Sequence, residues 1–397
     1  MRIVMVGPFG LEPKGTMSAR ALPAARALAA RGHQVTLLLP PWHTPAEAGR
    51  AFTDEPSGVT VENASLAGLG VPLLGHGVVA ARLARRALAL RPDVVHAFKP
   101  KAYSGLAAAL VRGRQRLGRR VALVMDSDDW EGRGGWNELE PYSRLQRAFF
   151  ARQEPWGLRH ADRVTVASRH LETLALALGV PRAELAYLPN ALDRLPAAVH
   201  PGGPDGERPT LLLYTRFFEF RLERPLEVLA LVRRQVGAAR LVVVGRGLFG
   251  EEERFVRAAE QAGLGGAVDY RGWLEPERAA QVLQEAHVAL YPFDDTLVNR
   301  TKSPVKLLEL LGAGLPVVAD AVGELREVIR HQASGLLVAP ADGAAMAAAA
   351  ADLLLRPERR QALGSGARRR VAEAFLWSGR AAELEAVCAA AAAARRP

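Results

Sequence analysis

The sequence has a single cysteine, Cys388, and only five lysines among its 397 residues. One cysteine excludes an internal disulfide framework and a CxxC zinc site, and its Ala-rich surroundings predict an inert, packed thiol. No uninterrupted apolar run reaches the ~18 residues needed to span a bilayer. The N-terminal MRIVMVGPFG lacks a signal-peptide core and cleavage site, so we interpret it as a first strand and expect a cytoplasmic protein.

Basic residues outnumber acidic ones, 52 to 42, which gives a formal net charge of +10 and an isoelectric point near 10.3. Because 47 of the 52 are Arg dispersed along the chain, and no nucleic-acid motif is present, we expect no nucleic-acid partner. The charge suits phosphorylated small molecules or anionic lipids equally well. Four of the five lysines fall in two short stretches, which predicts point charges selected for a site; they are Lys99, Lys101, Lys302 and Lys306.

Short β-rich runs alternate with longer helical stretches through both halves of the chain. A Pro- and Gly-rich stretch without periodicity, residues 196–209, separates the halves and is the predicted linker. The predicted strands are RIVMVG (2–7), QVTLLLP (34–40), DVVHAF (93–98), VALVMD (121–126), DRVTVAS (162–168), TLLLYT (210–215), RLVVVG (240–245), VDYRGW (268–273), HVALYP (287–292) and LPVVAD (315–320). The predicted fold class is α/β, with two Rossmann-like, doubly wound domains facing each other across a cleft where ligands bind.

The most informative segment is TKSPVKLLELLGAGLPVVADAVG (301–323). Pro304 suits the first turn of a helix, whose free N–H groups and positive dipole end form an anion site. Lys302 and Lys306 would add charge there, and Glu309 shares a helix face with Lys306. The layout fits a diphosphate at the helix start and a carboxylate on sugar hydroxyls; the alternative is an ordinary helix with an i,i+3 ion pair.

This segment resembles the nucleotide-sugar site of the family 4 retaining glycosyltransferases, in which a Glu-x7-Glu motif precedes a turn of the form AxGxPVV. The second Glu corresponds to Glu309 and the turn to residues 312–318, whereas the first Glu corresponds to Thr301, a departure from the pattern. Further similarities extend over nearly the whole chain, in ALAARGHQVTLLLP (27–40), DVVHAFKP (93–100), SRHL (168–171), PNALD (189–193), LLLYTRFFEFR (211–221), VVGRG (243–247), GELREVI (323–329), ASGLLVAP (333–340) and FLW (375–377).

The resemblance implies the GT-B fold: an acceptor domain (1–195), a nucleotide-sugar domain (196–374) and a C-terminal helix (375–397) that crosses back to the first domain. It also implies transfer of a hexose from a UDP- or GDP-linked sugar to an acceptor hydroxyl, with retention of configuration and without a metal or other cofactor. The acceptor would be a glycan, a lipid-linked compound or a small molecule. Another GT-B enzyme, such as a sugar-nucleotide epimerase or a phosphorylase, and a non-catalytic nucleotide- or glycan-binding protein are the alternatives.

In the second domain the resemblance supplies a set of donor-binding residues. Arg216 and Arg221 would clamp the diphosphate and stabilise the departing nucleotide, with Arg224 as a rival for the second position. Glu309 would bind the ribose. The complete predicted set is Arg216, Arg221, Gly245, Ser303, Pro304, Val305, Lys306 and Glu309.

In the first domain, Gly10, Gly15 and Thr16 correspond to a loop that closes over sugar and acceptor in the resembling enzymes; a structural turn is the alternative. His96 ends its strand and is a candidate catalytic residue, with a structural histidine as the alternative.

The segment MDSDDWEGRGGWN (125–137) places three Asp residues at a strand end, where the family usually has a His that contacts the sugar. Asp126 and Asp128 are therefore candidate catalytic residues that bind the sugar or the acceptor. Three close carboxylates require a cation, so we expect a metal ion or an Arg or Lys partner; an Asp that caps the next turn is a further interpretation.

The stretch VVAARLARRALALR (78–91) is a basic amphipathic helix. Either it packs on the sheet with its arginines in solvent, or it docks on an anionic membrane surface. The second interpretation predicts peripheral association with the inner face of the membrane.

Overall fold

The computed structural model describes residues 1–12, 15–66, 74–114, 121–200 and 208–394. Most of the predicted linker, residues 201–207, lies outside these ranges. Contacts divide the chain into two units. The first comprises Met1–Asp193, Thr301–Ser303 and Trp377–Pro397, and the second comprises Arg194–Arg300 and Pro304–Leu376.

The first unit is built on an eight-stranded sheet. Its strands are β1 (Arg2–Val6), β2 (Gln34–Leu39), β3 (Ala51–Asp54), β4 (Val59–Asn63), β5 (Val94–Phe98), β6 (Ala122–Ser127), β7 (Arg163–Val166) and β8 (Leu185–Tyr187). Its helices are α1 (Leu22–Ala29), α2 (Leu74–Ala89), α3 (Ala102–Arg114), α4 (Trp136–Leu139), α5 (Arg144–His160) and α6 (Arg169–Ala177). A π-helical turn, Met17–Ala21, leads into α1.

The second unit is built on a six-stranded sheet. Its strands are β9 (Thr210–Thr215), β10 (Arg240–Gly245), β11 (Val268–Tyr270), β12 (Val288–Tyr291), β13 (Val317–Asp320) and β14 (Leu336–Val338). The helices of this part of the chain are α7 (Arg224–Gln235), α8 (Glu251–Gln261), α9 (Pro276–Gln284), α10 (Leu297–Thr301), α11 (Val305–Ala313), α12 (Leu325–Val328), α13 (Gly343–Leu355) and α14 (Pro357–Ala374). The C-terminal helix, α15 (Trp377–Ala393), belongs to the first unit.

Strand order positions the functional residues. In the first sheet the order is β3-β4-β2-β1-β5-β6-β7-β8, and only the β3–β4 pair is antiparallel. The second sheet is fully parallel, in the order β11-β10-β9-β12-β13-β14. The order reverses beside β1 in one sheet and beside β9 in the other, so each sheet opens a crevice at the carboxyl ends of those strands. The predicted fold class, two Rossmann-like α/β domains, is confirmed.

Buried apolar strands form the core of each unit. The central strands β1 and β10 carry apolar runs, IVMV and LVVV, because both faces of a parallel sheet are covered. In the first unit, α1 and α15 pack on the sheet, and α15 contributes Trp377, Leu384 and Cys388 to its core. Burial raises the pKa of the Cys388 thiol to about 12, so this thiol stays protonated.

Two helical glycines let α14 pack closely in the second unit. A Cβ on Gly364 would lie 2.2 Å from the carbonyl oxygen of Gly314, and one on Gly366 would lie 1.9 Å from that of Ala333. Because the obstacles are backbone atoms, side-chain rearrangement cannot relieve them.

We expect Gly366→Ala to destabilise the second unit by about 1–3 kcal/mol, because overpacking outweighs the gain in helix propensity. The matched control is Gly379→Ala in α15, where an added Cβ has no neighbour within 4 Å. Thermal melts of the two variants should move in opposite directions from wild type. Equal melting temperatures for both variants would contradict the packing argument.

Candidate active site

A buried ion pair between Arg20 and Asp126 lies near the carboxyl end of β6 in the first unit. Arg20 Nε and Nη2 donate to the two carboxylate oxygens of Asp126 at 2.8 and 2.6 Å. Arg20 also donates to Asn190 Oδ1 and to the Leu188 carbonyl, each at 3.0 Å. The Thr165 hydroxyl donates to Asp126 Oδ1 at 2.5 Å. Both Asp126 oxygens are therefore engaged within the protein, although the sequence suggested a catalytic role.

The environment of Asp126 favours its charged form. Burial by itself would raise the pKa of this carboxyl, but the charge and hydrogen bonds of Arg20 outweigh burial and hold the pKa below its ordinary value. Asp126 is 0% exposed and Arg20 1% exposed, so the pair is screened from solvent.

Asp128, two residues further along the chain, lies in a second cluster centred on Lys99. The Lys99 ammonium lies 3.2 Å from Asp128, 2.8 Å from Asp129 and 3.1 Å from Glu131. Lys101 lies 2.5 Å from the other oxygen of Glu131. Lys99 thus supplies the cation that close carboxylates require. No group of three or more His, Cys, Asp or Glu in the described ranges is arranged to hold a metal ion.

The pKa of Asp128 is shifted in the opposite direction from that of Asp126. Burial raises the pKa of Asp128 to about 6, even though Lys99 opposes the shift. One oxygen accepts a hydrogen bond from the Thr16 hydroxyl at 3.0 Å, while Oδ1 accepts none from any described residue. Asp128 therefore combines a pKa near neutrality with an oxygen that has hydrogen-bonding capacity to spare.

The backbone that carries Lys99 is strained. Lys99 and Ala102 both adopt left-handed conformations, with φ of 54° and 49°. The Ser104 hydroxyl fixes this turn by donating to the Lys99 carbonyl at 2.5 Å. Strained non-glycine residues persist where the surroundings hold them, often at functional sites.

His96 lies on β5 and is fully buried. Its ring packs 4.4 Å from the ring of Phe98, and neither ring nitrogen has a hydrogen-bond partner among the described residues. Burial lowers the pKa of His96 to about 4, helped by the Arg20 charge and opposed by Asp126. The imidazole is therefore neutral at physiological pH.

The glycine loop after β1 leads into the π-helical turn. Gly10 packs against the backbone of Pro41, and Gly15 is exposed with open space around it. Thr16 connects this turn to the end of β6 through its hydrogen bond to Asp128. π-Helical turns are rare and occur frequently at functional sites.

In the second unit, the loop after β9 presents Arg216. Glu219 accepts hydrogen bonds from the Arg216 backbone N–H and the Thr215 hydroxyl, each at 3.2 Å. Phe217 adopts a left-handed conformation with φ of 66° and buries its ring against Phe255. Its buried ring and the Glu219 bonds fix the loop, while Arg216 itself is exposed. The Arg216 guanidinium contacts no partner in the part of the chain that the structure describes.

The two neighbouring arginines are engaged differently. Arg221 donates to both oxygens of Glu227 at 2.8 and 2.7 Å on the protein surface. Arg224 is buried, with Nη2 located 2.9 Å from Asp320 and 3.2 Å from Asp294. Burial raises the pKa of Asp320 to about 6, and Arg224 opposes that shift. Of the three arginines, only Arg216 has a guanidinium without an acidic partner in the described chain.

The start of α11 lies at the end of β9. Lys306 donates to the Thr215 carbonyl at 3.2 Å, and its ammonium lies 4.2 Å from the centre of the Tyr214 ring. Burial, and secondarily the Glu309 carboxylate, raises the pKa of Tyr214. Burial also raises the pKa of Glu309, while Lys306 lowers it. Lys306, Glu309 and the end of β9 therefore form one charged group.

Two residues before the start of α11 at Val305, Ser303 belongs to the first unit. The Asn190 backbone N–H donates to the Ser303 hydroxyl at 3.1 Å, and the Asn190 side chain donates to its carbonyl at 2.6 Å. Thr301, which corresponds to the missing Glu of the family pattern, is buried at the end of α10. Pro304 precedes the first residue of α11.

Gly245 ends β10 and allows a close backbone approach. Its φ is 135°, and a Cβ would lie 1.8 Å from the Thr215 carbonyl oxygen. Its N–H donates to Gly272, and its carbonyl accepts from the Tyr270 hydroxyl. The glycine is thus required to pack β10 beside the loop that carries Arg216.

Two arginines of the basic helix α2 contact other residues of the first unit. Arg82 donates to the Ser65 carbonyl, and Arg86 pairs with Glu62 at 2.7 Å. None of the helices in the described ranges is both long and apolar enough to cross a bilayer.

The sequence did not reveal the role of Arg20. Its partner Asp126 lies 106 positions away along the chain, and Arg20 is one Arg among many. A usable signal was its spacing: Arg20, Ala24 and Leu28 recur every four residues and are all buried. An Arg on the apolar face of a helix requires a buried counter-ion.

Two family models match most of the chain. Residues 15–191 match the model described as "Glycosyl transferase 4-like domain". Residues 208–356 match the model described as "Glycosyl transferases group 1".

Two mycobacterial proteins are similar in sequence. A GDP-mannose-dependent alpha-(1-6)-phosphatidylinositol monomannoside mannosyltransferase of Mycobacterium tuberculosis H37Rv is 28% identical over 240 residues, which cover 56% of this chain and 60% of that protein. Phosphatidyl-myo-inositol mannosyltransferase of Mycobacterium leprae is 27% identical over 400 residues, covering 97% of this chain and 95% of the relative. The first alignment thus spans less than two thirds of the relative's length, and the second spans nearly all of it.

Among solved structures, a sucrose-phosphate synthase from Thermosynechococcus elongatus superimposes with a TM-score of 0.72 at 21% identity, over 99% of both chains. That likeness shows a shared fold. The two family models show that the chain belongs to glycosyltransferase family 4, and the structural likeness shows the GT-B fold.

Proposed function

We propose that this glycosyltransferase moves a hexose from a nucleoside diphosphate sugar, UDP- or GDP-linked, to an acceptor hydroxyl. Retention of the anomeric configuration and independence of metal ions and other cofactors are part of the proposal. The observation that carries it is the Arg216 guanidinium at the carboxyl end of β9, which has no partner among the described residues and lies where Lys306 and Glu309 also gather. The M. tuberculosis relative is named as GDP-mannose-dependent, which supports a donor of this chemical class.

Arg216 and Lys306 would bind the donor diphosphate. The guanidinium fork suits two phosphate oxygens, and the ammonium adds a point charge beside it. The backbone of Pro304, Val305 and Lys306 lies at the positive dipole end of α11, whose free N–H groups favour an anion. As the sugar leaves, charge develops on the diphosphate, and these fixed positive groups would stabilise it without a metal ion.

Glu309 would accept hydrogen bonds from the donor's ribose. Burial raises the pKa of this carboxyl, so its ionised form gains stability from any hydroxyl that donates to it. Ribose hydroxyls provide two adjacent donors.

Arg221 would have a smaller role in donor binding. Both oxygens of Glu227 already accept hydrogen bonds from its guanidinium, so a phosphate must compete with this surface pair. The buried ion pair of Arg224 with Asp320 supports a structural role for that residue.

In the first unit, Asp128 would bind the acceptor or the transferred sugar. Its Oδ1 lies 3.2 Å from the Lys99 ammonium but accepts no hydrogen bond from a described residue, whereas both oxygens of Asp126 accept hydrogen bonds. The neutral His96 would serve as a hydrogen-bonding partner rather than as a cation. Gly10, Gly15 and Thr16 would form the loop over the sugar, with Thr16 holding Asp128 in place.

Arg216→Ala should reduce turnover by about 100-fold, because a fixed cation at the leaving group is worth roughly 3 kcal/mol. Arg221→Ala, its matched control, should change turnover by less than about threefold, because its guanidinium is already paired at the surface. The measurement is slow hydrolysis of a panel of UDP- and GDP-sugars. Hydrolysis of no donor, together with tight nucleotide binding, would contradict the proposed reaction; equal losses in both variants would contradict the assignment of Arg216.

Glu309→Gln should weaken donor affinity by about 10–100-fold, because hydrogen bonds to a charged group contribute roughly 1.5–3 kcal/mol. Calorimetric titration with UDP and GDP measures the effect directly. Glu260→Gln serves as the control, since that carboxylate is exposed near the end of α8 and belongs to no predicted site. Unchanged affinity in Glu309→Gln would remove Glu309 from the donor site.

Asp128→Asn should raise the melting temperature at pH 7.5 while lowering turnover. The pKa of Asp128 is about 6 in the folded protein against an ordinary 3.8, so its ionised form costs stability as the pH rises through this range. The stabilisation by Asn should therefore fade as the pH falls from 7 to 4.

Asp54→Asn is the control, because its effect on the melting temperature at neutral pH should have the opposite sign. The hydrogen bond from Arg26 holds the pKa of Asp54 below its usual value, opposed by burial, so that carboxylate contributes stability at neutral pH that is lost on acidification. A gain in Asp128→Asn that does not change with pH would refute the cost assigned to the ionised carboxylate.

A further inference from the structure

A cavity of about 540 Å³ lies in the first unit, between the segment that follows Glu131 and the N-terminal half of α5. Its volume is in the range of small-molecule sites. The lining residues are Gly132, Arg133, Asn137, Glu138, Arg147, Ala148, Ala151 and Arg152. None of them belongs to the predicted donor or catalytic set.

Positive charge dominates this cavity. Arg133, Arg147 and Arg152 line it together with one carboxylate, that of Glu138. Glu138 accepts a hydrogen bond from the Gly134 N–H at 2.7 Å, and Arg147 donates to the Glu140 carbonyl at 3.3 Å. The guanidinium groups of Arg133 and Arg152 have no partner among the residues that the structure describes, so both are available to an anion.

Asn137 adds an unpartnered amide to the cavity wall. The residue is only 2% exposed, yet neither its Nδ2 nor its Oδ1 has a hydrogen-bond partner among the described residues. A buried amide without partners costs about 1–3 kcal/mol for each unsatisfied group, and native proteins rarely leave both atoms unbonded. A ligand with hydroxyl groups would satisfy the donor and the acceptor together.

The wall of the cavity is built around Trp130. The Trp130 indole N–H donates to the Arg133 carbonyl at 2.8 Å, and the Trp130 carbonyl accepts from the Trp136 N–H at 2.9 Å. A Cβ on Gly132 would lie 2.3 Å from the Trp130 ring, and one on Gly135 would lie 2.1 Å from its carbonyl oxygen. The two glycines let the chain fold tightly over the indole, which preorganises the wall.

The same segment connects the cavity to the Asp128 cluster. Glu131 binds Lys99 and Lys101 through its carboxylate, and its backbone N–H donates to Glu154 of α5 at 2.7 Å. The wall of the cavity begins at the next residue, Gly132. A displacement of this wall would therefore change the position of Glu131 relative to Lys99, which also contacts Asp128.

We propose that this cavity binds a phosphate group of the acceptor, which carries hydroxyl groups as well. Arg133 and Arg152 take the phosphate oxygens, because the guanidinium fork matches phosphate geometry, and Asn137 takes a hydroxyl. The inference deepens the proposed function, since it names the acceptor class of the same enzyme.

A phosphorylated sugar or polyol in solution and a phospholipid headgroup share this chemistry. Leu145 and Phe149, at 84% and 44% exposed, lie on the same half of α5 and would contact lipid if the acceptor is membrane-bound.

The test is calorimetric titration of the full chain with glycerol 3-phosphate, with glycerol as the probe that lacks the charge. We expect glycerol 3-phosphate to bind and glycerol not to bind at the same concentrations. Arg133→Ala and Arg152→Ala should each weaken binding at least about tenfold, since hydrogen bonds between charged groups are the strong ones. Arg159→Ala is the matched control: it removes an exposed Arg of the same helix, outside the cavity, and should leave binding unchanged.

A second arm separates the two sources of phosphate. Vesicles of phosphatidylcholine with and without phosphatidic acid are sedimented with the wild type, Arg152→Ala and Leu145→Ser. If the ligand is a headgroup, phosphatidic acid vesicles bind and both variants reduce binding; if it is soluble, only glycerol 3-phosphate binds. Binding of either ligand supports the proposal if Arg152→Ala abolishes that binding and Arg159→Ala retains it.

Absence of binding in both arms overturns the inference, as does binding that Arg133→Ala and Arg152→Ala leave intact. Donor hydrolysis measured on the same preparation keeps the two proposals apart. Hydrolysis without phosphate binding overturns the cavity's role and leaves the proposed reaction standing. Phosphate binding without hydrolysis of any donor supports the cavity's role and contradicts the proposed reaction.

Discussion

The buried pair of Arg20 and Asp126 is the interaction on which the geometry of the first unit depends. Moving a carboxylate and a guanidinium out of water costs several kcal/mol for each ion, and only dense hydrogen bonding offsets that cost. Here Thr165, Asn190 and the Leu188 carbonyl complete the set, and the Trp377 ring lies 5.7 Å from the guanidinium. One pair thus joins the turn before α1 to β6, β7 and α15. Loss of either partner would leave an uncompensated charge in the core.

Residues of the same type that are close in the sequence have very different environments in the structure. Asp126 and Asp128 are two positions apart, yet one is held ionised by Arg20 while burial moves the other toward neutrality. Arg216, Arg221 and Arg224 fall within nine positions, yet they are respectively unpaired in the described chain, paired at the surface and paired in the interior. Residue type alone identifies neither catalytic carboxylates nor phosphate-binding cations. Whether a charged side chain can bind a substrate depends on the partners that it already has within the protein.

Periodicity predicted ten of the described strands, because a strand buried on both faces has an uninterrupted apolar run in its sequence. It missed the short parallel strands β8 and β14, which have three residues each. It missed the β3–β4 hairpin, whose strand Ala51–Asp54 is mostly exposed and carries no such run. Helix α5 was missed as well, since the Pro155 inside it argues against a helix. Its start is fixed instead by the reciprocal hydrogen bonds of Ser143 and Gln146. Lys99 and Lys101 did identify a charged cluster, but the contact of Glu154 with its member Glu131 depends on the fold and has no signal in the sequence.

The assignment of α15 to the first unit has a consequence for biosynthesis. Chains emerge from the ribosome N-terminus first, and domains tend to fold as they emerge. The residues that complete the first unit's core, among them Trp377 and Leu384, are synthesised only after the entire second unit. The sheet of the first unit therefore waits with its α15-facing apolar surface uncovered while the second unit is made. During that interval the uncovered apolar surface is open to contacts with other chains.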